Sequence, residues 1–418
     1  MRVLHVVHGF AEESPAGTEL HVRELARRQA SAAGGGHAAA IFARTHSGEA
    51  ADLSVAELPS DGTVRRFGFL NRGRAGTSFL GRDDLPPAAR AFEQVVDIVR
   101  PDVVHVHHLA GLSARILPLA KRAGARVVLT LHDHALACPR GRRVRSDLAP
   151  CPTLDRNRCA ACVRPAWIEA VRAPTLRSLI GVFRPGEGRR LFAVRDLVLR
   201  DALSSVDCFL APSRSAADLF REFFDPGPAL SVLPHGSIEV VRTAPPEFPQ
   251  GRPAVLGFFG APHPTKGITV LAEAVRRLGP AVRLVLHGPA NATEVGELER
   301  RFAVRCELAG PYAPERLSDR MDAVDVVVIP SLFPESFSLT LREAWAHRKP
   351  AVVSRVGALA EAAGNDERAL TAIPGDAESL FKAVLRATTD QSLFLRLTGP
   401  FSEEPRSAAL DRTTAQYV

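Results

Sequence analysis

Lysine is scarce in this chain of 418 residues, since only Lys121, Lys266, Lys349 and Lys382 stand among its 53 basic residues. The arginine excess gives a net charge of +7 and a pI near 9.5. This balance suits phosphates, nucleic acid or an anionic membrane face and does not choose among them. Aromatic residues make up only 6% of the chain. A nucleic-acid partner is therefore not expected, because such proteins stack bases on aromatic side chains.

Long apolar runs are also missing. No stretch approaches the roughly 18 residues that a membrane-spanning helix needs, and the start, MRVLHVVHGF, is too short an apolar segment for a signal peptide. We therefore expect a cytoplasmic protein, with peripheral contact at the inner face of an anionic membrane left open. Hydrophobic residues make up 46% and charged residues 24%, which indicates a globular chain. At this length two domains are expected.

Two common phosphate-binding patterns are absent. The loop after the first predicted strand contains Gly9 and Gly17 without G-x-G-x-x-G, which disfavours a nicotinamide-binding fold. The loop that contains Lys266 lacks the P-loop order G-x-x-x-x-G-K-[ST]. Gly17 could let the backbone approach a phosphate or could serve ordinary turn chemistry, and the loop itself leaves both open.

Strand-like and helix-like patterns alternate in two blocks, separated by a proline-rich stretch from Pro234 to Pro253. The alternation predicts an α/β fold with two open, mostly parallel sheets. We predict an N-terminal domain over 1–236, a linker over 237–253, a second domain over 254–395 and a C-terminal tail over 396–418.

The stretch from Asp325 to Glu361 is predicted as strand, loop, helix and strand, which is the parallel α/β unit whose loops hold ligands. Glu335 falls in the loop and Glu343 in the helix. The amides of residues 336–339 cluster at the helix start and suit an anion. Two simpler interpretations exist: Thr340 and Glu343 fit a capping box, and Glu335 fits a solvated loop acid.

Lys266 stands at the head of a predicted helix, after a glycine-containing loop. The positive end of the helix dipole disfavours a lysine there. A phosphate contact is therefore favoured over an ordinary surface position.

Three histidines stand at the end of the predicted strand Val103 to His107. His105 and His107 share one face of the strand, and His108 points to the other. No acid or cysteine stands nearby at ligand spacing, so a hydrogen-bonding role is favoured over zinc.

Four cysteines fall within 25 residues, in the order C-x12-C-x7-C-x2-C, at Cys138, Cys151, Cys159 and Cys162. In a chain without a secretion signal such clustering favours metal over disulfides. Seven arginines between residues 140 and 164 would favour thiolates. Structural zinc is weighed against reduced free cysteines or a redox pair. The segment 138–164 is an insertion that a sheet does not need.

The arginine-rich segment from Pro174 to Ser204 contains LFAVRDLVLRDAL, with apolar residues near helical spacing. It predicts a helix packed on the sheet with a solvated face. A surface for anionic lipid or an acidic acceptor is the alternative.

Taken together, these motifs resemble the retaining family-4 glycosyltransferases of the GT-B fold (glycosyl transferases group 1), in a subgroup with a cysteine cluster in the N-terminal domain. The resemblance runs from MRVLHVV to about Leu385. Its most specific part is the E-x7-E segment PSLFPESFSLTLREA, followed by Pro350-Ala-Val-Val and Gly357-x-x-x-Glu361. Supporting matches are Lys266-Gly267, DVVHVHH, TLHDHALACPR, AGTE at 16–19 and APS at 211–213.

The resemblance implies two Rossmann-like domains that face each other across a cleft, with the nucleotide-sugar donor on the second. It implies that Glu343 binds the ribose hydroxyls and that Glu335 lies beside the sugar and its departing phosphate. Lys266 and the amides of Ser336, Phe337, Ser338 and Leu339 would stabilise charge on that phosphate. From the first domain, His107 would contact the sugar, Gly17 would approach the diphosphate, and Asp133 would lie near the acceptor.

The implied enzyme is a retaining, metal-independent hexosyltransferase. It would move a sugar from a nucleotide-sugar donor to a saccharide or lipid-linked acceptor, in the synthesis of a cell-surface polysaccharide or glycoconjugate. No D-x-D motif is present, so a divalent ion held on the diphosphate by carboxylates loses support. No cofactor is expected for the chemistry, and zinc at the cysteines would be structural.

The sequence departs from the family pattern at two places. Many members have arginine where this chain has Ala261, paired with the lysine on the phosphates. Members commonly end in a helix that crosses back to the first domain, whereas here Gly399-Pro400 interrupts a polar terminus. The alternative is therefore a catalytically impaired nucleotide-sugar-binding or assembly protein of the same fold.

Overall fold

The computed structural model describes residues 1–13, 16–72, 83–170, 187–238, 246–401 and 403–418, with side chains except at 164–170 and 187–188. Part of the predicted linker, 239–245, and the first part of the arginine-rich segment, 174–186, lie outside the described residues. In the described part, no helix is both long and apolar enough to cross a membrane.

The first sheet has eight strands in the order β3-β4-β2-β1-β5-β6-β7-β8. β3 runs antiparallel to β4, and the other pairs of this sheet are parallel. The strands are β1 Arg2–Val7, β2 Ala38–Thr45, β3 Val55–Asp61, β4 Val64–Leu70, β5 Val103–Val106, β6 Arg126–Thr130, β7 Cys208–Ala211 and β8 Leu230–Val232.

The helices described around this sheet are α1 Gly17–Ala30, α2 Pro86–Val99, α3 Ile116–Arg122, α4 Arg156–Ala170, α5 Glu187–Leu203 and α6 Arg214–Arg221. Because helices cover both faces, central strands such as β5 are buried along their whole length. Phe42, Phe92 and Leu112 are among the fully buried side chains of this core.

The second sheet has six parallel strands in the order β11-β10-β9-β12-β13-β14. They are β9 Ala254–Phe259, β10 Val282–His287, β11 Cys306–Gly310, β12 Val326–Ile329, β13 Ala351–Ser354 and β14 Leu370–Ala372. The helices that follow are α7 Ile268–Leu278, α8 Ala292–Phe302, α9 Leu317–Asp322, α10 Leu339–Ala346, α11 Gly357–Ala363, α12 Ala377–Thr389, α13 Gln391–Leu397 and α14 Arg406–Ala415. Two parallel α/β domains are thus present, as the alternating pattern predicts.

The last helix, α14, returns to the first domain despite the break at Gly399-Pro400. Arg28 on α1 binds the carboxylate of Asp411 with Nε and Nη2, at 2.9 and 2.7 Å. Arg406 pairs with Glu24, and Pro405 forms an isolated bridge with Ser237. The segment predicted as a tail is therefore folded against α1. Its polar composition does not prevent this, because these ion pairs and hydrogen bonds add to the burial of Ala409 and Leu410.

Tyr417 fixes this terminus inside the first domain, where it is buried. Its hydroxyl accepts from Gln29 Nε2 at 3.1 Å and donates to His105 Nδ1 at 2.6 Å. Tyr417→Phe should lower the free energy of unfolding by about 2 kcal/mol, since both buried partners lose their hydrogen bond. The midpoint of urea unfolding measures this.

The matched control for that experiment is Tyr312→Phe, because Tyr312 is the other tyrosine of the chain. Its hydroxyl has no hydrogen-bond partner among the described residues. The control should change stability by less than about 0.5 kcal/mol. Equal effects of the two substitutions would show that the Tyr417 hydroxyl contributes nothing specific.

Candidate functional site

The predicted site residues lie at the two points where strand order reverses. In the first sheet β1 lies between β2 and β5, and in the second β9 lies between β10 and β12. Loops that leave two such neighbouring strands diverge and open a crevice at their carboxyl ends. The loops after β1 and β5 lead to Gly17 and His107. The loops after β9 and β12 carry Lys266 and Glu335, so each sheet contributes one half of a site.

Gly267 brings the two loops of the second domain together. Its φ is +78°, and a Cβ there would lie 1.8 Å from the carbonyl oxygen of Pro330. Only glycine allows the short 3-10 turn Pro264–Lys266 to pack this closely on the end of β12. The turn places Lys266 Nζ 2.8 Å from Glu335 Oε1.

Glu335 is an ionised, buried carboxylate. Its residue is 7% exposed, and Ser331 Oγ donates to Oε1 at 2.5 Å. Burial alone would raise the pKa of Glu335, but the ammonium of Lys266 and the Ser331 hydroxyl hold that pKa below its ordinary value. The interpretation of Glu335 as a solvated loop acid is therefore wrong.

Glu343 lies in the second turn of α10 and does not cap it. The helix follows Ser338, whose backbone is left-handed with φ 65° and whose side chain makes no capping bond. The capping box predicted from Thr340 and Glu343 is therefore not formed. The Glu343 carboxylate has no hydrogen-bond partner among the described residues. Burial raises the pKa of Glu343 to about 7, with Arg406 opposing the shift.

The start of α10 meets the start of α1 across the two domains. A Cβ on Gly17 would lie 3.3 Å from Leu339 Cδ1. Ala16, which precedes α1, offers no side-chain cap, so among the described residues no side chain caps the first amides of α1, and Ser338 likewise does not cap those of α10. Two helix N-terminal ends thus lie together, an arrangement that favours anionic groups.

A cluster of histidines, five buried and one half-buried, lies in the first domain behind these loops. The imidazole rings of six residues pack in one cluster, whose members are His5, His21, His105, His107, His132 and His235. Burial, the largest cause, lowers the pKa of each ring below its ordinary value. All six are therefore neutral at pH 7, with one protonated nitrogen each.

Gln29 sets the direction of the hydrogen bonds through this cluster. Its Nε2 donates to Tyr417 and Thr414, so its Oε1 accepts from His5 Nε2 at 2.8 Å. His5 Nδ1 is then bare and accepts from His107 Nε2 at 3.1 Å.

The chain of hydrogen bonds continues through the next ring. His107 is neutral, so its Nδ1 is bare and accepts from His132 Nε2 at 2.9 Å. Both nitrogens of His107 are thus engaged, and the residue is only 2% exposed. His132 is half-buried, and its backbone carbonyl accepts from Ser336 Oγ of the second domain at 2.5 Å. A contact of His107 with a sugar stays a prediction. The sequence patterns did not indicate His132 as a residue of the site.

Asp133 shares one small cavity with His107, His108 and His132. Its carboxylate accepts from His108 Nε2 at 2.9 Å and from the Ala135 amide at 2.8 Å. The structure thus brings the predicted acceptor-side acid next to the histidine cluster, and its role stays a prediction.

Two histidine triplets offer nitrogens close enough for a metal ion, all within 4.8 Å of one another: His5, His105 and His107, and His21, His107 and His132. The hydrogen bonds already described occupy most of these nitrogens. His21 Nδ1 is one that they leave free, since it is buried and has no partner in the described part.

An arginine from the cysteine-bearing insertion crosses to the donor-side loop. Arg142 Nη1 donates to Thr265 Oγ1 at 2.6 Å and to His263 Nδ1 at 2.8 Å. Its guanidinium and the Lys266 ammonium both lie near the ring of Phe333, at 5.9 and 5.1 Å from the centroid. An arginine therefore stands beside the loop in which Ala261 replaces the family's arginine.

Two more contacts hold the domains together around this point. His134 Nε2 donates to the carbonyl oxygen of Pro334 at 2.7 Å. Glu361 accepts from the amides of Arg214 and Ser215 at 3.2 and 2.9 Å, so it caps α6 of the first domain from the second. The loop that carries Glu335 is thus positioned by both domains.

Comparison with known proteins agrees with this arrangement. A family model described as Glycosyltransferase Family 4 matches residues 15–237, and one described as Glycosyl transferases group 1 matches residues 253–390. The chain belongs to glycosyltransferase family 4. The matches cover both sheets apart from β1, which precedes residue 15.

The curated relatives of this family-4 chain are glycosyltransferases. The MMP alpha-(1->4)-mannosyltransferase of Mycolicibacterium hassiacum is 31% identical over 50% of this chain and 52% of that protein. The lipopolysaccharide 1,2-N-acetylglucosaminetransferase of Salmonella typhimurium is 26% identical over 36% of this chain and 45% of its own length. The chain spans about half the length of these relatives.

Solved structures cover the whole fold. The sucrose-phosphate synthase of Thermosynechococcus elongatus has a TM-score of 0.68 at 16% identity, over 100% of this chain and 98% of that one. HepE of Anabaena, in complex with UDP and glucose, has a TM-score of 0.64 at 15% identity, over 100% and 98%. The predicted GT-B fold, with two Rossmann-like domains, is confirmed.

Proposed function

We propose that this family-4 chain is a retaining, metal-independent glycosyltransferase that transfers a hexose from a nucleotide sugar to a saccharide or lipid-linked acceptor of a cell-surface glycoconjugate. The observation that carries the proposal is the Lys266–Glu335 pair at the start of α10, opposite Gly17. Family membership and the activities of the curated relatives support it. Contact with an anionic membrane stays a prediction from the sequence.

The arrangement suits departure of a diphosphate. The bond between the anomeric carbon and the phosphate oxygen breaks, and its electron pair stays on that oxygen. The Lys266 ammonium and the amides of residues 336–339 would stabilise the growing negative charge. The acceptor oxygen bonds to the anomeric carbon on the same face of the sugar, and its proton passes to the departing phosphate. This chemistry needs no metal ion.

Glu335 would serve this step by holding Lys266 and by lying beside the sugar. Because Ser331 also donates to its Oε1, the carboxylate keeps one orientation while the cleft fills. Glu343 would accept the two ribose hydroxyls, since two carboxylate oxygens can accept from two O–H donors. No residue in the described part of the chain hydrogen-bonds to its carboxylate, so both oxygens are available there.

Donor affinity should therefore rise with pH. Protonation of Glu343, whose pKa is about 7 in the free protein, removes an acceptor that the ribose needs. The dissociation constant should fall about tenfold between pH 6 and pH 8. Isothermal titration calorimetry measures this dissociation constant. The ligand is a nucleotide sugar and not a nucleoside diphosphate, because the terminal phosphate of a nucleoside diphosphate itself titrates near pH 6.

The control for the pH series is Glu343→Gln, which should bind weakly and independently of pH. A dissociation constant that stays flat in the unsubstituted protein, or that rises with pH, would contradict the role of Glu343.

Nucleotide release tests the proposed activity directly. The protein is mixed with UDP-glucose, UDP-N-acetylglucosamine, GDP-mannose and ADP-glucose, each with and without a panel of saccharide acceptors, and both release and thermal shift are recorded. A bound donor should raise the melting temperature, and turnover should release its nucleotide. Folded protein that neither binds nor turns over any donor would refute the proposal. Binding without turnover would select the impaired binding protein that Ala261 suggests.

A further inference from the structure

The four clustered cysteines converge in the folded chain. Cys138 follows β6, and Cys151 follows a short hairpin closed by a bridge between Val144 and Pro150. Cys159 and Cys162 lie three residues apart on α4, where such positions share a face. All four line one pocket, and all are free thiols. Residues far apart in the segment thus present sulfur to a common space.

Hydrophobic burial cannot hold this segment in place by itself. Between residues 138 and 163, Val144 and Val163 are the aliphatic side chains that are buried. Short segments with so small an apolar core usually depend on a disulfide or a metal ion. The thiols of this segment are not paired in disulfides, which leaves metal as the candidate.

Arg143 supplies independent support, because its guanidinium is buried and only partly hydrogen-bonded. The residue is 1% exposed, and its Nε and Nη1 have no partner among the described residues. Nη2 donates to Pro152 O and to Glu222 Oε2, each at 2.8 Å. The Arg143 carbonyl accepts from the Cys151 amide at 3.2 Å, so the backbone of Arg143 adjoins the cluster.

A second arginine touches a thiol directly. Arg156 Nη1 lies 3.8 Å from Cys159 Sγ. Four thiolates around a divalent ion carry a net charge of −2, and adjacent guanidinium groups would offset it. In the described residues, triplets of ligand atoms within 4.8 Å occur at the histidines and not at these thiols. Binding would therefore require the cysteine side chains to rotate inward.

We propose that Cys138, Cys151, Cys159 and Cys162 bind one zinc ion as thiolates. Four thiolates in tetrahedral arrangement are typical of a closed structural zinc site. The ion would fix the arm of residues 134–163, which brings His134 and Arg142 to the second domain. The zinc site does not depend on the proposed function. Only the consequence for donor binding, through the position of Arg142 at the second domain, rests on that function.

Elemental analysis tests the site on the complete chain, purified without added metal and without a histidine tag. We expect about one zinc ion per chain. Because the histidine triplets also offer ligands, cobalt substitution identifies the donor atoms. Thiolate ligands give sulfur-to-cobalt charge-transfer bands in the near ultraviolet, and imidazoles do not. Absence of zinc, or a cobalt spectrum without these bands, would overturn the proposal.

Paired substitutions locate the ion. Cys159→Ser with Cys162→Ser should lower the zinc content at least about tenfold. The matched control, Cys208→Ser with Cys306→Ser, changes two cysteines outside the pocket and should keep the metal. Equal zinc in both variants would overturn the assignment. If the first variant does not fold, the cobalt spectrum of the unsubstituted protein still decides.

Discussion

Lys266→Ala should lower kcat for sugar transfer about 10³-fold, the upper range for loss of one preorganised group that stabilises a developing anion. Lys266 Nζ is held by Glu335 on one side, and its side chain is 35% exposed, so the ammonium can also meet a phosphate. The amides at the start of α10 cannot replace this charge, since they carry only partial charges. Steady-state kinetics with the donor found by the nucleotide panel measures the loss.

Two controls separate chemistry from folding. Lys382→Ala removes a lysine whose side chain is 68% exposed and paired one helical turn away with Glu378, and it should leave kcat unchanged. Lys266→Ala also leaves Glu335 buried without its cation, which costs stability. The double change Lys266→Met with Glu335→Gln removes that unpaired charge and should recover stability without recovering kcat. A kcat within tenfold of the unsubstituted enzyme for Lys266→Ala would refute the assignment.

Sequence reasoning found Lys266 and Glu335 because each follows an apolar run that forms a buried strand. In parallel sheets such runs end at one edge, where loops collect functional groups. The same logic placed Gly17 and His107. Apolar runs did not predict β3, whose residues are mostly exposed or half-buried at the sheet edge. An edge strand of this kind lacks the apolar run that marks a buried one.

Sequence patterns could not predict the histidine cluster, for a different reason. The path from His132 to Gln29 passes through hydrogen bonds between residues 25, 102 and 24 positions apart. Each histidine taken alone resembles a single polar residue at a strand end or in a helix. Only the packing of β1, β5, α1 and the loop after β6 shows that His132 bonds to His107 through its ring and to Ser336 of the second domain through its carbonyl. The sequence did hold one signal of this cluster: the histidines of TLHDH follow the strand next to the one that contains DVVHVHH.

Arg142 was equally hidden, because it lies 121 residues from His263 and in the other domain. Ala261 had suggested a donor site that lacks one cation. The folded chain instead places a guanidinium 2.6 Å from Thr265 Oγ1, in the turn that carries Lys266. A positive group supplied across the cleft would reach the diphosphate only while the domains are in contact. Loss of the family's arginine therefore does not imply an inactive protein.

Arg142→Ala should lower kcat/KM for the donor about 100-fold, the lower range for a charged group that stabilises a leaving phosphate. Arg145→Ala is the matched control, since Arg145 lies three residues further along the same arm and pairs with Asp147 on the surface. It should keep kcat/KM within about twofold. Equal losses in the two variants would mean that the arm tolerates no change, and not that Arg142 meets the donor.

Adding back the charge from the other side gives the sharper test. Ala261 is exposed, so Ala261→Arg can be introduced without repacking the core. If Arg142 supplies the cation that other family members place at this position, Ala261→Arg in the Arg142→Ala protein should recover at least about tenfold in kcat/KM. Ala261→Lys should recover less, because an ammonium lacks the paired N–H groups that bind a phosphate in two places. No recovery with either residue would show that Arg142 acts only by joining the domains through Thr265 and His263.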